Sequence, residues 1–219
     1  ATGEPQTRLV AQYYCELADQ ARSRKDVEGA RRFLAEAFAC EANCVRGLVI
    51  AGAMAVDAGD HEAAIRCYVQ AVEQELDCVP EVLAPVLRCY EQLGDAHGAR
   101  AFLEGLVERY DGVSPVIALA RLVAADQDVA AAAVWLTEQL RMRPSVRGLM
   151  HLIEMSAKSA EGPAQDTLAV LRELTRKLLE GRPAYRCNRC GFGARAHHWQ
   201  CPSCKSWGSI RPLHGVAGD

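Results

Sequence analysis

Apolar positions recur every three or four residues through the first two thirds of this chain, the spacing that gives a helix one buried face. The pattern predicts helices near residues 6–23, 27–41, 44–58, 61–76, 81–93, 96–109, 115–125 and 129–142. Pro85 falls inside the fifth, so that helix is expected to start late or to kink. A further amphipathic pair, about 145–158 and 164–180, follows across Glu161-Gly162-Pro163, and Gly181 and Pro183 stop the last helix. Strands are expected only after residue 183.

A longer period lies over the short one. A small residue returns at Ala30, Ala64, Ala99 and Ala132, at intervals of 34, 35 and 33. A large one follows four residues later each time, at Leu34, Tyr68, Leu103 and Leu136. A polar turn precedes each: Lys25-Asp26, Gly59-Asp60, Gly94-Asp95 and Gln127-Asp128. Twelve residues before the small positions stand Ala18, Gly52, Leu87 and Ala120. Small residues let two helices cross closely, and large ones fill the gap between neighbours. Residues 8–144 therefore resemble a series of tetratricopeptide (TPR) helical hairpins, with Pro144 where such a repeat commonly ends. The fold expected is mainly α: a TPR-type α-solenoid over 1–144, a helical capping pair over 145–182, and a small metal-binding knob over 183–219.

Half of the 219 residues are hydrophobic and 24% are charged, ordinary values for a protein with a sizeable core. Charge is placed unevenly: residues 182–219 carry +5 and the remainder −8. Four thiolates on a divalent ion would leave that tail at about +3, a mild basicity. No run approaches 18 apolar residues, so no membrane segment is expected within this sequence. The first residue is not Met, which is compatible with a piece of a longer, anchored protein.

Ten cysteines change the picture most. Six (Cys15, Cys40, Cys44, Cys67, Cys78, Cys89) lie in helical patterning and are expected to be small buried hydrophobes, with Cys40 and Cys44 one turn apart on a single helix. The other four make two CxxC pairs, Cys187/Cys190 and Cys201/Cys204, separated by ten residues. Each CxxC turn points two sulfurs at a common centre, and two such turns close a tetrahedral cage around one metal ion. Two disulfides or four thiols are the alternatives. Four thiolates suit iron and zinc alike. Cys-x-x-Cys-Gly-Phe and Cys-Pro-x-Cys resemble the two knuckles of a rubredoxin-type domain, although Lys205 stands where such a domain usually has its second Gly. The segment is too short for a core of its own, and metal ligation supplies on the order of 10–16 kcal/mol in small zinc domains. Tyr185, Phe192, Trp199 and Trp207 are expected to roof the site and pack on the last helix, docking the knob onto the helices.

No Walker loop, HExxH or GxSxG is present, and four cysteines leave a tetrahedral ion no open position, so a binding protein rather than an enzyme is expected. His197-His198, between the knuckles, is a weak contact candidate. TPR arrays present the first helix of each repeat on a concave face. Arg22, Arg46, Arg88, Glu91 and Arg121 fall at inward positions there, and arginines in a groove suit an acidic partner segment.

Helical repeats followed by a rubredoxin-type knob resemble the lipopolysaccharide assembly protein B family of Gram-negative bacteria. The resemblance is carried by Tyr13-Tyr14-Cys15-Glu16-Leu17-Ala18, by Cys89-Tyr90-Glu91-Gln92-Leu93-Gly94, and by the end from Tyr185-Arg186-Cys187 through Cys201-Pro202-Ser203-Cys204, Trp207 and Ile210-Arg211-Pro212. It implies an upstream membrane helix and earlier repeats, a place on the cytoplasmic face of the inner membrane, and metal held by the four cysteines. It also implies a role: restraining lipopolysaccharide synthesis by promoting degradation of the lipid A pathway deacetylase through a membrane-bound AAA+ protease, opposed by an inner-membrane sulfatase-like protein. Two other readings stand beside this adaptor. A rubredoxin-type electron carrier would need reversible iron chemistry. A nucleic-acid-binding zinc ribbon would show steep salt dependence, and the acidic remainder argues against it.

Overall fold

The structure is a computed structural model, and it describes residues 6–126, 128–216 and 218–219. These residues form ten α-helices and a small three-stranded sheet, which makes the fold mainly α with a C-terminal knob. The chain divides into two compact units that part between Ala96 and His97.

In the first unit, α1 (Gln6–Ser23) packs on α2 (Val27–Cys40), and α3 (Val45–Asp57) packs on α4 (His61–Gln74). A 3-10 turn over Leu76–Cys78 leads into α5 (Val79–Leu93). The polar turns between helices work by two devices. Lys25, Gly59 and Gly94 take left-handed backbone, φ 62°, 77° and 66°, which ends one helix. The aspartate after the first two then caps the next helix: Asp26 accepts from the Gly29 amide and Asp60 from the Ala63 amide, both at 2.9 Å. The periodic small and large residues are the buried ones. Ala18, Ala30 and Ala64 are fully buried, Leu34 and Tyr68 nearly so. Gly52 on α3 lies so close to the Tyr68 ring that a Cβ there would come within 2.6 Å of it. Two expectations are corrected. The fifth helix starts early rather than late, at Val79, and runs through Pro85; Pro80 at its first turn needs no donor there. Cys40 and Cys44 do not share a helix, because Cys40 ends α2 and Cys44 caps α3.

The second unit holds α6 (Ala96–Arg109), α7 (Ser114–Asp126), α8 (Val129–Met142), α9 (Val146–Ala157) and α10 (Pro163–Leu179). Gln127 of the fourth predicted turn lies outside the described residues, but Asp128 caps α8 by accepting from the Ala131 amide. Val116, Ala120, Ala132, Leu136 and Met155 build the core between α7, α8 and α9. The α9–α10 pair turns at Gly162, φ 59°, as its Glu-Gly-Pro sequence suggested. Only Thr175 of α10 is buried.

The knob follows. Strand β1 (Tyr185–Cys187) lies between β2 (Gly193–Ala194) and β3 (Ile210–Pro212), both antiparallel to it. Tyr185, Cys187, Ala194, Cys201 and Ile210 form its core, with Phe192 packed against them. The aromatics do not settle on α10 as expected. Trp199 stacks edge-on against His197 and His197 against Tyr185, inside the knob. Val170, Leu174 and Leu178 of α10 remain more than half exposed. The knob reaches the helices through the segment after β3 instead. His214 meets the Tyr110 ring edge-on at 5.0 Å, the Val216 carbonyl accepts from the Val146 amide at 2.8 Å, and the buried Asp219 carboxylate accepts from Tyr110 Oη and Ser114 Oγ.

Candidate metal centre

The two CxxC turns have the same backbone. In the first, the Gly191 amide donates to the Cys187 carbonyl at 3.0 Å, and Gly191 has φ 76°. In the second, the Lys205 amide donates to the Cys201 carbonyl at 3.0 Å, and Lys205 has φ 62°. Lys205 thus takes the left-handed conformation a glycine would supply, and the departure from the knuckle sequence leaves the geometry intact. β1 fixes the first turn: the Cys187 amide donates to the Phe192 carbonyl, and the Asn188 amide to the Ser209 carbonyl, each at 2.8 Å.

These turns bring all four sulfurs within 4.8 Å of one another. Cys187 Sγ is 3.7 Å from Cys204 Sγ, and Cys190 Sγ is 3.7 Å from Cys201 Sγ. A tetrahedron of sulfurs around an ion at ~2.3 Å has edges of ~3.8 Å, so the donors fit one thiolate-bound ion. Disulfides would hold sulfurs at ~2.05 Å, and no sulfur pair of this cluster is so placed. Cys187 and Cys201 are buried, whereas Cys190 and Cys204 face solvent.

Two serines belong to the site that the sequence reading passed over. Ser209 Oγ stands 3.3 Å from Cys187 Sγ, and Ser206 Oγ stands 3.4 Å from Cys204 Sγ. The Ser209 hydroxyl, with the amides of Cys190 and Arg189, draws the Cys187 thiol down to about 6. Ser206 draws Cys204 down in the same way. Burial pushes Cys201 up to about 11, against the amides of Cys204 and Ser203. The donors around Cys187 and Cys204 favour thiolate, the form that binds metal. A serine two residues after a CxxC was the available signal for Ser206; Ser209 depends on the β3 pairing and had none.

The residues expected on a partner face are placed unevenly. Arg88 and Glu91 are exposed on α5. Arg22 is held by Asp57 at 2.7 Å and by Asp19 at 3.8 Å. Arg46 is a correction: it is 4% exposed, bound to Glu16 at 2.6 Å and to the Gln12 carbonyl at 3.3 Å, so it anchors α3 to α1 instead of meeting a partner. In the second unit Arg121 is exposed and lies 3.4 Å from His151 Nε2. Burial and the Arg121 charge hold His151 below its ordinary value.

Residues 185–212 match the family model described as a rubredoxin metal binding domain. Over 210 residues, 95% of its length, the chain is 32% identical to lipopolysaccharide assembly protein B of Escherichia coli K12. It is 30% identical over 207 residues to the protein of the same name from Haemophilus influenzae. It spans 54% and 52% of those proteins, about half the length of the curated relatives it matches.

Proposed function

We propose that this chain, which belongs with the lipopolysaccharide assembly protein B proteins along almost its whole length, is a non-enzymatic regulatory adaptor. It would promote proteolysis of the lipid A pathway deacetylase by a membrane-bound AAA+ protease at the cytoplasmic face of the bacterial inner membrane, opposed by a sulfatase-like inner-membrane protein. The observation that supports this reading is that the similarity covers 95% of the chain, the helical hairpins and the four-cysteine knob together.

The site suits such a role. Cys187, Cys190, Cys201 and Cys204 would hold one ion, iron or zinc. When bound, the ion cross-links the two knuckles and takes the place of a larger apolar core. Four cysteine sulfurs would fill a tetrahedral ion's positions and would leave none for a substrate. The chain's own residues do the remainder: β1 and β3 hold the turns, and His214, Val216 and Asp219 fix the knob to the helices of its unit. Exposed Arg88 and Glu91 in the first unit and Arg121 in the second offer charged contacts of the kind an adaptor needs.

The test is binding of the purified chain to the deacetylase and to the cytoplasmic domain of the protease. Binding to both is expected, with Arg88→Glu or Arg121→Glu weakening one of them about fivefold or more. A chain that binds neither protein defeats the reading. Iron that cycles reversibly with a physiological donor would make the knob an electron carrier instead.

A further inference from the structure

Two cysteines outside the metal centre lie together in the first unit. Cys15 Sγ on α1 and Cys44 Sγ at the start of α3 are 3.5 Å apart, although 29 residues separate them in sequence. Both are buried, Cys15 fully and Cys44 to 1% exposure. Their surroundings are not the uniform apolar packing that an inert buried thiol would have. Cys44 is the N-cap of α3, where helix amides point outward. Gln12 Nε2 reaches to 3.9 Å from its sulfur. The Arg46 charge favours thiolate at both cysteines, and Glu41 opposes it. The two thiols are pushed apart in acidity. The Cys15 hydrogen bond and the Gly47 amide draw Cys44 down, while the same hydrogen bond and burial drive Cys15 up. One sulfur is thereby set up as nucleophile and its neighbour as proton-bearing partner. Ala42 and Asn43 beside Cys44 are exposed, and the α2–α3 connection is short.

We propose that Cys15 and Cys44 are a redox-sensitive pair, which a peroxide converts into a disulfide tying α1 to the start of α3. The Cys44 thiolate attacks one peroxide oxygen, the O–O bond breaks, and Cys44 becomes a sulfenic acid while hydroxide leaves as water. The Cys15 sulfur then attacks the Cys44 sulfur. The S–O bond breaks, and the Cys15 proton leaves with the hydroxyl as a second water. Two thiols lose two electrons and hydrogen peroxide gains them, which balances the step. The sulfurs must close from 3.5 Å to ~2.05 Å, a movement that the surface connection before α3 can absorb. The product would join the first helices of two successive hairpins and stiffen the unit that carries Arg88 and Glu91.

The experiment treats the full, metal-loaded chain with hydrogen peroxide, quenches by alkylation, and maps linked peptides by mass spectrometry. Cleavage after Glu41 separates Cys40 from Cys44. A Cys15–Cys44 link is expected to form roughly tenfold faster than the thiol of Cys78 is lost, that thiol being buried and pushed up to about 12. Cys15→Ser should leave a sulfenic acid on Cys44 that dimedone labels, and Cys44→Ser should abolish both products. The oxidised chain should melt about 5 °C or more above the reduced one, reversibly with dithiothreitol. The proposal is overturned if Cys44 pairs with Cys40 or with a knob cysteine instead. It is equally overturned if Cys15 and Cys44 survive a dose that oxidises Cys78, or if the link forms only in denaturant.

Discussion

Lys25 holds left-handed backbone, φ 62°, in a turn whose counterparts at the same point of the next two repeats are Gly59 and Gly94. A side chain there costs about 1 kcal/mol through its Cβ, so Lys25→Gly should raise stability by about 0.5–1 kcal/mol in denaturant melts. The aspartate caps and the turn positions were legible because both act through the backbone of adjacent residues. Arg46 was not: its burial depends on α1 passing over the start of α3, which no local spacing encodes. Its partner Glu16 gives a test by pH. The Arg46 hydrogen bond holds the Glu16 carboxyl below its ordinary value. A folded-state value that is depressed adds stability above the unfolded value and loses it as pH falls through the folded one. Glu16 is 46% exposed, which screens the pair. Glu16→Gln should therefore cost about 1 kcal/mol at pH 7. That difference from the parent chain should shrink as pH is lowered beneath about 4.5, read from urea midpoints.

Among elements, the α3–α4 crossing shows how the repeat closes. Gly52 lets the Tyr68 ring lie against the α3 backbone, and Tyr68 is 3% exposed with little room to move. Gly52→Ala gains about 1 kcal/mol of helix propensity, but overpacking a tight site costs about 1–3 kcal/mol. A net loss of up to about 2 kcal/mol is expected, whereas Gly105→Ala, with nothing near its Cβ position on α6, should be stabilising. The spacing of Ala64, Tyr68 and Gly52 made this crossing readable before any coordinates, since small and large residues there have one geometric use. The packing of α10 was not readable. Its amphipathic pattern names an apolar face but not the surface that covers it, and the knob aromatics found partners nearer in sequence.

At the scale of the molecule, the metal centre was the most legible part, because four cysteines at that spacing constrain their own turns. Loss of one ligand, by Cys187→Ser or Cys204→Ser, should unfold the knob while circular dichroism keeps most of its helical signal. The knob's buried core is five residues, two of them the cysteines Cys187 and Cys201, and should not hold without the ion, whereas the hairpins have apolar cores of their own. The anchoring of the tail after β3 was not legible, because its partners, Tyr110, Ser114 and Val146, lie far back in the chain. Its docking has a kinetic consequence. The knob is tethered at both ends, by α10 at residue 179 and by His214, Val216 and Asp219 on the helices. A stripped knob is then a closed loop of about thirty residues, whose ends need not search for each other. The four thiols stay at a high effective concentration around an incoming ion, and loop-closure entropy is already spent. Asp219→Ala should therefore slow the return of metal after chelation several-fold in stopped-flow mixing, with little change in the final occupancy. Unchanged re-entry rates would show that the ends separate once the ion leaves.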